Sequence, residues 1–239
     1  MGITSHIQTR LKKSSLLFGL KQEFDILPSV LSGEKAAARS WSQFGEDEIL
    51  CSELADLLQT GYYLDIGANH PTKISNTFRL YAKGMRGIVV EPDPTLCRLH
   101  AKYRSGDIQL CAASGERDSL APFYRMSYHG LSTFSREDCE RSIAGGAQLL
   151  STSLVPVFTI RTILSDCKME GRPAFALLSV DTESLDEVVL RSNDWCKYRP
   201  RIVVYENNDG TDSTRNFLSS VGYELIASKG CNEIMRMRA

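Results

Sequence analysis

Short apolar runs alternate with helix-like segments along most of this 239-residue chain. The runs are apolar throughout and do not alternate with polar residues, so each strand is expected to be buried on both faces. Such strands, when separated by helices, are typical of a mostly parallel sheet with helices on either side. The pattern predicts an α/β, doubly wound domain with strands at residues 62–68, 87–91, 108–112, 174–181, 201–206, 223–227 and 233–237.

The last two of these seven strands are joined by a very short link through Lys229 and Gly230. A parallel crossover needs a dozen or more residues, so this pair must be antiparallel. The sheet is therefore predicted to be mostly parallel with an antiparallel last strand. Helices are predicted at residues 43–59, 74–83, 95–103, 161–167, 185–190 and 214–221.

The periodic pattern divides the chain into an N-terminal helical extension, residues 1–40, and one domain, residues 41–239. Within the domain, residues 115–153 interrupt the regular alternation, and we expect them to form an insertion or lid on the substrate side. The extension has leucines and lysines at helical spacing. This spacing predicts a surface helix, and weak contact of that helix with a membrane surface is left as an alternative. We find no run of about 20 apolar residues that could cross a bilayer.

Charge and cysteine content narrow the class of protein. The net charge is −1, so a nucleic-acid partner, which normally requires a basic excess, is not expected. Seven cysteines are scattered without a C-x-x-C pair, which favours reduced thiols and a cytoplasmic location. The four histidines lack the spacing of metal ligands, so no metal is predicted. The oligomeric state is left open.

Three acidic residues end predicted strands, namely Asp65, Glu91 and Asp181. Ligands of open α/β sheets bind beyond the carboxyl ends of the strands. Gly67 lets a ligand approach the backbone without a Cβ in the way, and the helix predicted to begin near Ser75 offers free amides to an anionic group. Glu91 can accept from both hydroxyls of a ribose. These features together predict a site for an adenosine-containing cofactor.

The glycine turn itself indicates which cofactor this is. The turn reads Asp-Ile-Gly-Ala-Asn-His-Pro and lacks the G-x-G-x-x-G that seats the pyrophosphate of a dinucleotide. A single glycine after an acid suits S-adenosylmethionine better, because that ligand carries an ammonium and a carboxylate in place of phosphates. A nucleotide-cofactor oxidoreductase and a non-catalytic scaffold on the same sheet stay open as alternatives.

An ordered set of motifs makes the chain similar to a known family. From about Ser42 to Gly222 it resembles the FkbM family of methyltransferases. One departure is Ser184, where the family usually has glycine after the D-x-E. The matching segments are SQFGED (42–47), LDIGANHP (64–71), SNT (75–77), GMRGIVVEPDP (84–94), LLSVDTESLDEVVL (177–190), RPRIVVYEN (199–207) and FLSSVGY (217–223).

This resemblance implies a class I methyltransferase (Rossmann-like) fold with S-adenosyl-L-methionine as the methyl donor. It assigns the binding residues to three parts of that cofactor. The methionine end would be lined by Asp65, Gly67, Ala68 and Asn69, the ribose by Glu91 with Pro92 and Asp93, and the adenine by Ala113 and Ser114.

The resemblance also implies O-methylation of a hydroxyl on a sugar, a glycan or a related natural product. An alcohol is a poor nucleophile until its proton begins to leave, so a nearby base is expected. Asp181 and Glu183 lie where the fourth strand would meet the reactive end of the cofactor, and His129 in the insertion is the other candidate. The two carboxylates could also coordinate a divalent cation, but no third ligand is evident.

Overall fold

The computed structural model describes residues 40–169, 171–182, 185–208 and 210–238, except for the side chain of His129. These residues all belong to one compact unit, residues 40–239. The predicted helical extension, residues 1–40, lies outside the described residues apart from Ser40.

Ten strands and seven helices are present in the described residues. The strands are β1 Gly61–Ile66, β2 Arg86–Val90, β3 Ile108–Leu110, β4 Ala113–Ser114, β5 Ser119–Met126, β6 Leu149–Phe158, β7 Ala174–Val180, β8 Ile202–Glu206, β9 Tyr223–Lys229 and β10 Asn232–Met237. The helices are α1 Glu46–Glu53, α2 Phe78–Ala82, α3 Pro94–Tyr103, α4 Arg136–Ala144, α5 Ile160–Asp166, α6 Asp186–Arg191 and α7 Ser213–Ser220. Short 3-10 turns occupy Ala55–Leu57 and His129–Leu131.

Seven strands form one sheet in the order β3-β2-β1-β7-β8-β10-β9. The pairs from β3 to β8 are all parallel. Strand β10 is antiparallel to both of its neighbours, β8 and β9. The predicted mostly parallel, seven-stranded sheet with an antiparallel last strand is therefore confirmed. Because β1, β2, β7 and β8 run in one direction, their carboxyl ends meet at one edge of the sheet.

Both faces of this sheet are buried. In β1, Leu64 and Ile66 pack into the apolar layer on one face, and Tyr63 packs into the layer on the other. The same division occurs in β7, where Leu178 and Leu177 face opposite ways. Successive side chains of a strand point to opposite faces, so a strand covered on both sides is apolar at nearly every position. This explains the unbroken apolar runs of the sequence.

A second sheet is built from the irregular part of the chain, with strand order β4-β6-β5. Strands β5 and β6 pair antiparallel from Ser119↔Val157 to Met126↔Leu149, and β4 runs parallel to β6. The 3-10 turn at His129–Leu131 and helix α4 lie between β5 and β6 in the chain. The irregular part of the chain thus forms a long, ordered strand pair, with a helix between its two strands.

The helix expected at residues 74–83 is shorter than predicted and begins only at Phe78. Ile74 has a φ of +49°, which is incompatible with a right-handed helix. The backbone amide of Ser75 donates to the carbonyl of Trp41 over 2.8 Å and so has a partner outside the helix. The expected helix at residues 43–59 is also shorter, because α1 ends at Glu53 and a 3-10 turn follows.

Candidate functional site

The turn after β1 brings the carboxyl ends of three strands together. The amide of Gly67 donates to the carbonyl of Val90, and the amide of Asp181 donates to the carbonyl of Ile66, each over 3.0 Å. Gly67 has a φ of +73°, and a Cβ at this residue would lie 1.7 Å from the backbone oxygen of Asp181. The close approach of β1 and β7 at this point therefore requires glycine.

Glu91, which directly follows β2, is buried and held in place by backbone amides. Its Oε2 accepts from the amide of Asn69 and its Oε1 from the amide of Asp93, both over 2.8 Å. Each carboxylate oxygen has more than one acceptor direction, so both can also accept from a pair of hydroxyls. The carboxylate is thus oriented before any ligand arrives.

His100 binds the backbone carbonyl of Asn69, whose amide donates to Glu91. The residue is buried on α3, and its Nε2 lies 2.8 Å from the carbonyl oxygen of Asn69. Burial, together with the charge of Arg104, lowers the pKa of His100 to about 4. The ring is therefore neutral at pH 7, and its Nε2 must carry the proton because a carbonyl can only accept. Asn69 itself has a φ of +45°, which asparagine tolerates better than most residues.

Asp93 connects the first sheet with the second. Its Oδ1 accepts from the amide of Thr95 over 2.6 Å and so caps the N-terminus of α3. Its Oδ2 accepts from Nε of Arg125 on β5 over 2.9 Å, and Arg125 also donates to the hydroxyl of Thr95 over 2.8 Å. These two contacts hold β5 against the N-terminal end of α3.

A cavity of about 370 Å³ lies between the carboxyl edge of the large sheet and the residues that follow β4. This volume is in the range of small-molecule sites. Eight residues proposed from the sequence line it: Gly67, Asn69, Glu91, Pro92, Asp93, Ala113, Ser114 and Asp181. The opposite wall comes from the 115–153 segment and consists of Phe123, Gly130, Ser132, Thr133, Phe134, Ser135 and Asp138.

The sequence did not predict which residues of the 115–153 segment form this second wall. The rings of Phe123 and Phe134 pack together with centroids 5.0 Å apart, and both border the cavity. Leu96 and Leu185 add further apolar surface from α3 and from just before α6. The one signal in the sequence was the break in strand–helix alternation at residues 115–153, which indicated an insertion without indicating which side chains face inward.

Asp65, Ala68 and Ser75 do not line this cavity, in contrast to the sequence prediction. The carboxylate of Asp65 accepts from the hydroxyl of Thr77 and lies 3.8 Å from Nη1 of Arg104. The hydroxyl of Ser75 accepts from the amide of Phe78, the first residue of α2, over 3.2 Å. Ala68 packs in the apolar layer around Tyr63 and Leu80, next to the turn.

Arg104 is the centre of the polar cluster that holds Asp65. It is fully buried and donates to the carboxylate of Asp107, the phenol of Tyr63 and the hydroxyl of Thr77 over 2.8 to 2.9 Å. Burial raises the pKa of Asp65, while the charge of Arg104 and the hydroxyl of Thr77 act in the opposite direction. The carboxylate of Asp65 is therefore engaged by α2 and by Arg104, and not by the cavity.

The structure describes the three predicted catalytic residues to different extents. Asp181 lines the cavity with an exposed side chain. Glu183 lies outside the described residues, as does the side chain of His129. The 3-10 turn that begins at His129 borders the cavity through Gly130.

A further carboxyl group, Asp186, lies at the start of α6 and is buried. Burial, together with the charge of Glu206, raises the pKa of Asp186 to about 7, although nearby backbone amides oppose the shift. Among the described residues, no three His, Cys, Asp or Glu side chains are grouped closely enough to hold a metal ion. Within the same ranges, no helix has the length and apolar character needed to span a bilayer.

Comparisons with solved structures give distant matches. A methyltransferase FkbM from Methylobacillus flagellatus KT is 10% identical, with 74% of this chain aligned and a TM-score of 0.44; this chain covers only 43% of that protein. A putative O-methyltransferase from Klebsiella pneumoniae is 11% identical, with 86% of each chain aligned and a TM-score of 0.45. A TehB-like SAM-dependent methyltransferase from Corynebacterium glutamicum is 11% identical, with 94% of this chain and all of that chain aligned and a TM-score of 0.43. No curated protein matches the chain.

The comparison with protein families gives the assignment. The model of the methyltransferase FkbM domain matches residues 65–225, about two-thirds of the 239 residues. This range starts at the acid of β1, includes every cavity-lining residue and ends in β9. The chain therefore belongs to the FkbM methyltransferase family and has the class I methyltransferase fold.

Proposed function

We propose that this protein uses S-adenosyl-L-methionine to methylate a hydroxyl oxygen. The observation that carries the proposal is the Glu91 carboxylate, which two backbone amides aim at a cavity of about 370 Å³. A fixed carboxylate at the carboxyl end of the second strand suits the two hydroxyls of a ribose. A phosphate-bearing ligand fits less well, because the same carboxylate would repel it.

The rest of the cavity also fits this cofactor. Adenine would fit beside the small side chains of Ala113 and Ser114 and the apolar ones of Leu96 and Phe123. Gly67 and Asp181 line the cavity together, at the end proposed for the methionine part of the cofactor. The carboxylate of Asp181 lies on this side and offers a counter-charge to a cationic group.

The cofactor, when bound, supplies an electrophilic methyl group on a sulfonium. The protein's own part is to align the acceptor and keep water away, and alignment alone can lower a barrier by several kcal/mol, with an upper range of roughly 7–11. Phe123 and Phe134 exclude water from the side opposite the large sheet. Asp181 is our first candidate to accept the hydroxyl proton, and Glu183 and His129 remain the others.

For the acceptor we propose a sugar, a glycan or a related hydroxylated natural product. Three hydroxyl side chains, those of Ser132, Thr133 and Ser135, line the wall contributed by the 115–153 segment. Asp138 and the two phenylalanine rings line the same wall. Hydroxyl and carboxylate groups beside aromatic rings suit a ligand with several hydroxyls on an apolar ring face.

The test is calorimetric titration with S-adenosylhomocysteine. We expect micromolar binding by the wild-type protein and a loss of at least about 100-fold, or about 2.7 kcal/mol, in Glu91→Ala. The matched control is Glu224→Ala, because Glu224 lies on the outer strand β9, at the far side of the sheet from β2, and pairs with Arg236 of the neighbouring strand. This control should bind like the wild type.

Failure of the folded wild-type protein to bind S-adenosylhomocysteine would overturn the proposal. Binding that survives Glu91→Ala would overturn the location of the site. Once binding is established, methyl transfer to a panel of sugars, glycans and sugar nucleotides identifies the acceptor class. Binding without transfer to any acceptor would favour a non-catalytic role on the same fold.

A further inference from the structure

Two cysteine thiols lie against the backbone that carries Glu91. The Sγ of Cys97, in the first turn of α3, donates to the carbonyl of Glu91 over 3.0 Å. The Sγ of Cys111, just after β3, donates to the carbonyl of Pro92 over 3.9 Å. The two thiols therefore contact consecutive carbonyls of one short segment, although they are 14 residues apart in the sequence.

The two thiols differ in their exposure to solvent. Burial raises the pKa of the Cys97 thiol, as do the charges of Glu91 and Asp93. Cys97 is half-buried, whereas Cys111 is exposed to solvent. An exposed thiol can react with an external disulfide, and a neighbouring thiol can then resolve the mixed disulfide.

The surrounding backbone links this pair to the cavity. The amide of Glu91 donates to the carbonyl of Leu110 over 3.1 Å, and the amide of Cys97 donates to the carbonyl of Asp93 over 2.9 Å. The neighbours of the two cysteines in the sequence, Leu96 and Ala112, line the cavity. Any change in the distance between the two sulfurs must therefore act on the wall around Glu91.

We propose that Cys97 and Cys111 form an oxidation site whose disulfide weakens ligand binding at the Glu91 cavity. The oxidant is a small-molecule disulfide such as oxidised glutathione. The Cys111 thiolate attacks one sulfur of the oxidant and releases one thiol, which leaves a mixed disulfide. Cys97 then loses its proton and attacks the Cys111 sulfur, and the second glutathione leaves as a thiol. Two protein thiols are oxidised and one glutathione disulfide is reduced to two thiols.

Disulfide formation changes the local contacts in a definite way. The S–S bond is about 2.05 Å long, and the bonded sulfurs no longer carry the protons that the carbonyls of Glu91 and Pro92 accept. Both carbonyls lose their thiol donors, and α3 is drawn toward the end of β3. The Glu91–Pro92 segment lies between them, so we expect its carboxylate to shift. The effect on binding rests on the proposed function, whereas the formation of the disulfide does not.

The experiment uses the full chain, equilibrated with reduced and oxidised glutathione and then alkylated for peptide mass mapping. We expect a Cys97–Cys111 cross-linked peptide, absent in Cys97→Ser and Cys111→Ser and retained in the control Cys196→Ser. Cys196 is also exposed and lies after α6, outside the cavity wall. A mapped product with glutathione on Cys111 and no cross-link would overturn the proposal.

The second readout is the affinity for S-adenosylhomocysteine before and after oxidation. We expect a loss of at least about tenfold that a dithiol reductant reverses and that Cys97→Ser does not show. An unchanged affinity of the cross-linked protein would overturn the coupling to the cavity. If the cross-link forms but the reduced protein binds no S-adenosylhomocysteine, the proposed function fails and the oxidation site stands. If the reduced protein binds but no cross-link forms, the proposed function stands and the oxidation site fails.

Discussion

Gly67→Ala tests whether the carboxyl ends of β1 and β7 approach each other so closely that only glycine fits. The new Cβ would lie 1.7 Å from the Asp181 carbonyl oxygen and 2.8 Å from its carbon, far inside van der Waals contact. The strand ends must therefore separate. This separation would break the hydrogen bonds that Gly67 makes to Val90 and that Asp181 makes to Ile66.

The magnitude has two contributions. A residue with a Cβ at a φ of +73° costs about 1–2 kcal/mol, and two lost backbone hydrogen bonds cost about 1 kcal/mol each. The sum is about 3–4 kcal/mol, which for a domain of this size lowers Tm by roughly 6–16 °C. We also expect weaker binding of S-adenosylhomocysteine, because Gly67 lines the cavity.

Gly171→Ala is the matched control for backbone strain. Gly171 has a φ of +71°, nearly that of Gly67, but a Cβ at Gly171 would meet nothing within 4 Å. Its substitution should cost only the strain, about 1–2 kcal/mol. The assay is urea unfolding of both variants beside the wild type. Equal losses of unfolding free energy in the two variants would refute the steric argument.

Two further predictions concern the chemistry and the pH dependence of the site. Asp181→Asn should lower kcat for methyl transfer by about 10²–10⁴-fold, and full activity in a radiolabelled methyl-transfer assay would exclude Asp181 as the base. The pKa of His100 is lowered to about 4 in the fold, against about 6.5 when unfolded, so its stability contribution is complete above pH 6.5 and is lost as the pH falls toward 4. Between pH 7 and pH 4 the free energy of unfolding should therefore fall by about 3 kcal/mol because of His100. The variant His100→Gln keeps a donor for the Asn69 carbonyl, and its unfolding curves over the same pH range should lack this loss. Parallel curves for the two proteins would contradict this assignment.

Much of the large sheet could be read from local patterns. Apolar runs without alternation identified strands that are buried on both faces, and the short link through Lys229 and Gly230 required an antiparallel pair. Two strand-terminal acids, Glu91 and Asp181, were expected at one sheet edge because parallel strands share the direction of their carboxyl ends. The cavity contains both of them.

The 115–153 segment shows where local patterns were insufficient. Its sequence has no sustained periodicity, and the cavity wall it provides depends on the pairing of β5 with β6 and on the contact of Arg125 with Asp93. Arg125 and Asp93 are 32 residues apart, so no local rule connects them. Tertiary contacts decide which side chains of the 115–153 segment face the cavity.

Asp65 and Glu91 illustrate the same division between sequence and tertiary structure. Both are acids at the ends of neighbouring parallel strands, and the sequence alone determined that they lie at the carboxyl edge of a doubly wound sheet. Only the tertiary structure decided that Asp65 is engaged by Thr77 and Arg104, while Glu91 is held by amides and faces the cavity. The physical reason is that periodicity encodes how deeply a residue is buried, whereas the direction of a carboxylate depends on donors from distant parts of the chain.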